Sequence, residues 1–284
     1  MSTFAVTLLL SAAILHTSWN ILLKQAGEKY IATWWAILVG SVVFLPILFF
    51  TGLPGPAIWP FVLVSVLLEL GYYAALSAAY TDSDFSLIYP MARGGAPALI
   101  ALWSVLFLGE RLALPGLLGL VLILVGLLLI ATSNRAQQSG QRPGLRGVLL
   151  GLLLALLISL YSIVDGAAVK RTAALPYTII IFFLMPAVSA PFILKRYGWP
   201  TLKNEWLGNS ASLAVIGLLS VGAYFLTLAA YSISLISYAG AIREVSVVLG
   251  AFAGWRFLGE PLGRLRMAGA IVIFLGIVVI SVWS

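Results

Sequence analysis

The stretch Arg93–Leu112 recurs 150 positions later as Arg243–Leu262. At that single offset Arg93 matches Arg243, Phe107-Leu108-Gly109-Glu110 matches Phe257-Leu258-Gly259-Glu260, and Leu112 matches Leu262. Each copy is an apolar run that opens with an arginine and closes on Phe-Leu-Gly-Glu. A chain built this way is a duplicated unit, and its fold must place two copies of one structure against each other.

The apolar runs say where that structure sits. A span of about 20 apolar residues crosses the roughly 30 Å hydrocarbon layer as a helix. Such runs fall at 3–24, 29–51, 57–80, 85–108, 114–132, 146–169, 175–194, 207–230, 234–257 and 264–283. Only 9% of residues are charged, 62% are hydrophobic and the mean hydropathy is +1.10, which excludes an ordinary soluble domain. The first run has no basic stretch before it and no small-residue cleavage site, so it reads as helix 1 and not as a signal peptide. The polar stretch Ser133–Arg146 leaves five spans on either side. This gives a first repeat over 1–133, a linker over 134–145 and a second repeat over 146–284.

An odd number of spans per repeat sends the second copy into the membrane the other way up. The expectation is therefore an all-α polytopic membrane protein: ten transmembrane helices as two inverted five-helix repeats. Its basic residues concentrate in connections 1–2, 5–6, 7–8 and 9–10, so the positive-inside rule puts both termini outside the cytoplasm.

Ionisable groups inside hydrocarbon cost about 2.5–3.5 kcal/mol each on insertion scales and mark function or pairing. Those well inside the spans are His16, Glu69, Arg93, Asp165, Arg243 and Glu244. Arg93 and Arg243 offer planar forks suited to carboxylate or phosphate oxygens, or else lock onto Glu69 or Glu244, the latter a local partner for Arg243. Glu69 is a candidate for binding an amine or carrying a proton. His16, Trp19 and Asn20 share one helical face by their i, i+3, i+4 spacing, and His16 is a second candidate for proton coupling. Asp165 shares a face with Tyr161, and Tyr89 and Tyr238 are candidate cavity residues, as are Tyr72, Tyr73 and Tyr231. Asp82 and Asp84 read as solvated. Pro90 and Pro97 flank Arg93 and are expected to break span 4 there. Gly147-xxx-Gly151 and Gly250-xxx-Gly254 allow close helix packing. No phosphate-binding loop, catalytic triad or metal cluster is present, and no cysteine, so no cofactor, metal or enzyme activity is expected. Nothing resembles a nucleic-acid patch.

Trp19-Asn20-Ile21-Leu22-Leu23-Lys24 and the duplicated Gly-Glu motifs resemble the drug/metabolite transporter superfamily in its ten-span EamA-type branch, over about residues 3–283. The resemblance implies a basket of two inverted repeats with a central cavity lined by spans 1, 3, 4, 6, 8 and 9. It also implies basic residues such as Arg93 and Arg243 in phosphate-recognising members, and in many relatives both termini in the cytoplasm. The run Ile88–Gly94 is also similar to membrane proteins encoded beside phosphonate-utilisation genes.

The resulting expectation is a secondary transporter in the cell (inner) membrane for a small anionic or zwitterionic metabolite: an amino acid, an aminophosphonate or a phosphorylated compound. A multidrug or cationic-compound exporter and a lipid-linked carrier flippase are the alternatives. H+ is the candidate coupling ion, and monomer and homodimer stay equally open.

Overall fold

The structure is a computed structural model that describes residues 1–82, 85–137, 145–249, 252 and 264–283, and the side chains within them other than those at 24–25, 77–82, 85–91, 131–137, 145–146, 266 and 283. Ten helical spans follow the expected order. They are α1 (Thr3–Gln25), α2 (Lys29–Thr51, tightened by a 3-10 turn at Leu45–Ile47), α3 (Trp59–Asp82), α4 (Phe85–Leu108) and α5 (Leu114–Gln137). Then come α6 (Leu145–Val169), α7 (Ala174–Tyr197), α8 (Trp199–Ile233), α9 (Ile236–Arg243, resuming over 245–249) and α10 (Arg264–Trp283). Among the described residues six of these are long and apolar enough to cross a membrane unaided, with shorter apolar helices at Ala92–Leu108, Leu114–Ile130 and Met267–Val282. The protein is an all-helical polytopic membrane protein.

Two differences from expectation have local causes. Helix α8 begins at Trp199, before the span expected from 207, because Asn209 (φ −135°, ψ 15°) kinks it and leaves a separate helical segment ahead of the membrane run. Span 4 does not break at its prolines. Helix α4 is continuous through Pro97, and the interruption falls in the counterpart that lacks prolines, at Glu244 of α9 (φ −70°, ψ −4°). A proline removes one helical hydrogen bond, and neighbouring helices can hold the remainder together. Here Gly95 lets α4 settle on Ala155 of α6.

The packing respects the duplication. Helix α4 lies on α6 and α9 on α1; α1 lies on α8 and α6 on α3; α2 lies on α8 and α7 on α3. Each pairing becomes its partner when every helix is exchanged for the one five along. Helices α5 and α10 pair with each other, and their contact shows the two-fold at atomic scale. A Cβ on Gly119 would come 2.8 Å from the Gly276 carbonyl oxygen, and one on Gly126 2.6 Å from that of Gly269. Gly119 and Gly269 are 150 positions apart in sequence, as are Gly126 and Gly276. Equivalent glycines thus meet crosswise between antiparallel helices, as inversion requires. A second backbone-to-backbone approach, Gly40 against Gly217, binds α2 to α8. Of the expected small-residue patterns, Gly147 and Gly151 are buried, and Gly250 and Gly254 lie outside the described residues.

Candidate functional site

Helices α1, α3, α4, α6, α8 and α9 bring the six intramembrane ionisable groups into one neighbourhood. From α1 come His16 and Trp19, one turn apart, with their rings edge to face at 5.0 Å. His16 lies within electrostatic reach of both Arg93 and Arg243. Asn20 belongs to the same stretch but turns its Nδ2 back to donate to the His16 carbonyl at 2.7 Å, and its side chain is exposed. It bonds back onto its own helix and does not join the cluster.

Arg93 is paired across the repeats. Its Nε stands 3.1 Å from Glu244 Oε2, and its Nη2 donates to Ser246 Oγ at 2.7 Å. The Ser246 carbonyl in turn accepts from Thr17 Oγ1 at 3.3 Å, so α1, α4 and α9 are tied at one point. Glu244 was one candidate partner for its neighbour Arg243; its ion pair is with Arg93 instead, while Arg243 stays within its electrostatic reach.

Asp165 is fully buried. Its two oxygens accept from the hydroxyls of Tyr177, at 2.8 Å, and of Tyr224. Each carboxylate oxygen thus has one hydroxyl donor, so Asp165 anchors the tyrosines of α7 and α8. Glu69, 5% exposed, adjoins the same Tyr224 hydroxyl and has Asp165 and Arg243 as its charged neighbours. The Arg243 guanidinium sits over the Tyr224 ring, 5.9 Å from its centroid, within cation–π range. The Tyr231 hydroxyl adjoins it. Tyrosines continue the lining: Tyr72 touches Tyr73 and Tyr161, and Tyr161 and Phe182 flank Tyr224. Among the described residues neither Arg243 nor Glu69 has an opposite charge within ion-pair distance.

One sequence candidate lies elsewhere. Tyr238 stands in the first turn of α9 with its ring against Gly116 and its hydroxyl donating to the Ala113 carbonyl at 3.5 Å, so it packs α9 onto α5. The side chain of Tyr89 lies outside those described, as do Asp82, Asp84 and the second motif Phe257–Leu262. Among the described residues no three histidine or acidic side chains gather to hold a metal.

The repeated Gly-Glu motif acquires a role that its sequence alone did not disclose. Gly109 takes a positive φ of 66°, and Glu110 then reaches the start of α9. Its carboxylate accepts from the Ile236 and Ser237 amides at 2.6 and 3.1 Å and from Ser237 Oγ at 2.6 Å. It satisfies free N–H groups at the positive end of the helix dipole. From the α6–α7 connection Lys170 Nζ donates to the Ser232 and Ser234 carbonyls at 3.3 and 2.8 Å, closing the end of α8. Burial there draws the Lys170 ammonium below the usual lysine range, with Glu110 opposing.

Inverted repeats enclosing a buried, charged and aromatic cluster define the class of membrane transporters. The chain belongs to the EamA-like transporter family, whose model matches residues 3–132 and 145–282. It is similar to the pseudopaline exporter CntI of Pseudomonas aeruginosa, 26% identical over 205 residues, covering 70% of this chain and 66% of that protein. The match thus spans just under two-thirds of that exporter's length. An uncharacterized protein of Methanocaldococcus jannaschii is 36% identical over 73 residues, 26% of this chain and 52% of its own. A solved crystal structure superposes with a TM-score of 0.79 at 18% identity, over 98% of this chain and 96% of that one, and shares the fold.

Proposed function

We propose that this transporter moves a small zwitterionic metabolite across the cell (inner) membrane by alternating access, with Arg243 taking the acid group and Glu69 the amine. The observation that carries the reading is the pairing pattern. Arg93 is matched by Glu244, and Asp165 by two tyrosine hydroxyls, whereas Arg243 and Glu69 face the same tyrosines with no ion pair among the described residues. An arginine and a carboxyl group in one buried site, with no ion pair among the described residues, complement a molecule that carries an acid and an amine. The surrounding rings exclude water, which strengthens such contacts. Amino acids and aminophosphonates have this character. Arg93, His16 and Trp19 complete the wall on the α1–α4 side. Glu69 is the first candidate for carrying a coupling H+, since an amine and a proton would compete for it, and His16 is the second. The name of the Pseudomonas relative supports export as the direction.

A second reading is favoured by the Arg93–Glu244 pair and the tyrosine lining: a cationic or multidrug exporter, in which the arginines are structural. Counterflow in proteoliposomes separates the two. A labelled zwitterionic amino acid or aminophosphonate should exchange through the native protein, and Arg243→Ala and Glu69→Gln should each slow it by about tenfold or more, the loss of one charged contact. Native rates in Arg243→Ala, with lipophilic cations exchanged instead, would leave the exporter reading standing.

A further inference from the structure

Arg93 and Arg243 are equivalent in sequence and unequal in their surroundings. Arg93 meets Glu244 and Ser246 of the other repeat. At the positions 150 residues before these two stand Gly94 and Ala96, which have no side-chain acceptor to offer Arg243 in return. Among the described residues one arginine of the pair therefore has an acid in ion-pair contact and the other does not.

That built-in acid is held in an unusual way. A guanidinium can give a carboxylate two parallel N–H bonds. Here Arg93 Nη2 is directed to Ser246 Oγ, and Glu244 Oε2, although 3.1 Å from Nε, accepts no hydrogen bond. Glu244 is 2% exposed, so its carboxylate is desolvated and held by charge without the fork geometry that makes such pairs strong. It also stands at the one residue where α9 leaves helical geometry, with Val247 N–H donating to its own carbonyl at 2.9 Å. Finally, Glu244 and His16 each lie within electrostatic reach of both arginines. The two guanidinium groups therefore border the same site, and Glu244 stands near both, at the interruption of α9.

We propose that Glu244 is an internal stand-in for a substrate acid. It occupies Arg93 until an acidic group of the substrate displaces it, and its withdrawal frees α9 to move against α4. The site then has two acid-binding positions, one open at Arg243 and one covered at Arg93, and it favours zwitterions with two acidic groups over those with one. This deepens the proposed function and rests on its acid contact at Arg243.

The test is binding of L-glutamate and L-alanine to the purified full-length protein by calorimetry. The proteins compared are the native chain, Glu244→Gln, Arg243→Ala and the charge-neutral double variant Arg93→Met/Glu244→Leu. The native protein should prefer L-glutamate. Glu244→Gln should bind L-glutamate about tenfold tighter while L-alanine changes little, because the competing carboxylate has lost its charge. The double variant should bind both amino acids alike. Equal or weaker L-glutamate binding by a folded Glu244→Gln overturns the proposal. Should that variant fail to fold, persistence of the L-glutamate preference in the double variant overturns it instead. If L-alanine binding is lost in Arg243→Ala while the Glu244 substitutions leave the preference untouched, only this inference falls. If neither amino acid binds any of the proteins, both readings fall.

Discussion

At the scale of single residues, the cost of charge inside a membrane made the buried cluster legible. Six ionisable groups in apolar runs had to be paired or functional, and the structure gathers all six. Their pairing was not legible, because partners come from helices far apart in sequence: Arg93 and Glu244, Asp165 and Tyr224. Tyr177 and Tyr224 went unnoticed because a tyrosine in a membrane span looks the same in sequence whether it sits in an interface belt or on a buried carboxylate. The pairing makes a prediction. Arg93→Ala leaves Glu244 buried without its counter-charge and should destabilise the protein by about 3–5 kcal/mol, whereas replacing both by apolar residues should cost far less. Denaturant or thermal unfolding of the two variants in detergent measures the difference, and equal losses would mean that the pair does not neutralise itself.

Helices show the opposite balance. Their number, order and most of their ends could be read from the length of apolar runs, because bilayer thickness fixes that length. What they do to each other could not. Pro97 looked like a helix breaker, yet α4 is continuous through it and α9 breaks at Glu244. The glycines that matter are spaced seven apart on α5 and α10 and escaped a search for pairs spaced four apart. Gly126→Ala would push a methyl into the Gly269 carbonyl and should cost about 1–3 kcal/mol through overpacking. Gly94→Ala, where a Cβ meets no described atom within 4 Å, should be nearly silent in the same unfolding measurement. Glu110→Ala removes the carboxylate from the start of α9 and should lower stability by about 1–2 kcal/mol, the value of a helix cap. An unchanged melting temperature would count against that bond.

For the whole molecule, one internal duplication dictates the architecture. Five spans per copy implied inversion, and the helix pairings and the crossed glycines of α5 and α10 obey it. Orientation is a separate question, decided by charge. The chain has no cysteine, so single cysteines report cleanly on sidedness. By the positive-inside count Ser2→Cys should react with an impermeant thiol reagent from outside right-side-out vesicles, and Asn204→Cys should be protected. The reverse pattern would put both termini in the cytoplasm.

In the proposed function Arg243 and Glu69 stand ready for the acid and the amine of one substrate. A thermal-shift screen of the native protein, Arg243→Ala and Glu69→Gln against amino acids, aminophosphonates, phosphorylated metabolites and lipophilic cations tests it most directly. A ligand at about 100 times its Kd adds roughly 2.7 kcal/mol of apparent stability, enough to read as a shift in melting temperature. Zwitterions should stabilise the native protein and neither variant. Stabilisation by lipophilic cations alone, equal in the native protein and Arg243→Ala, would contradict it.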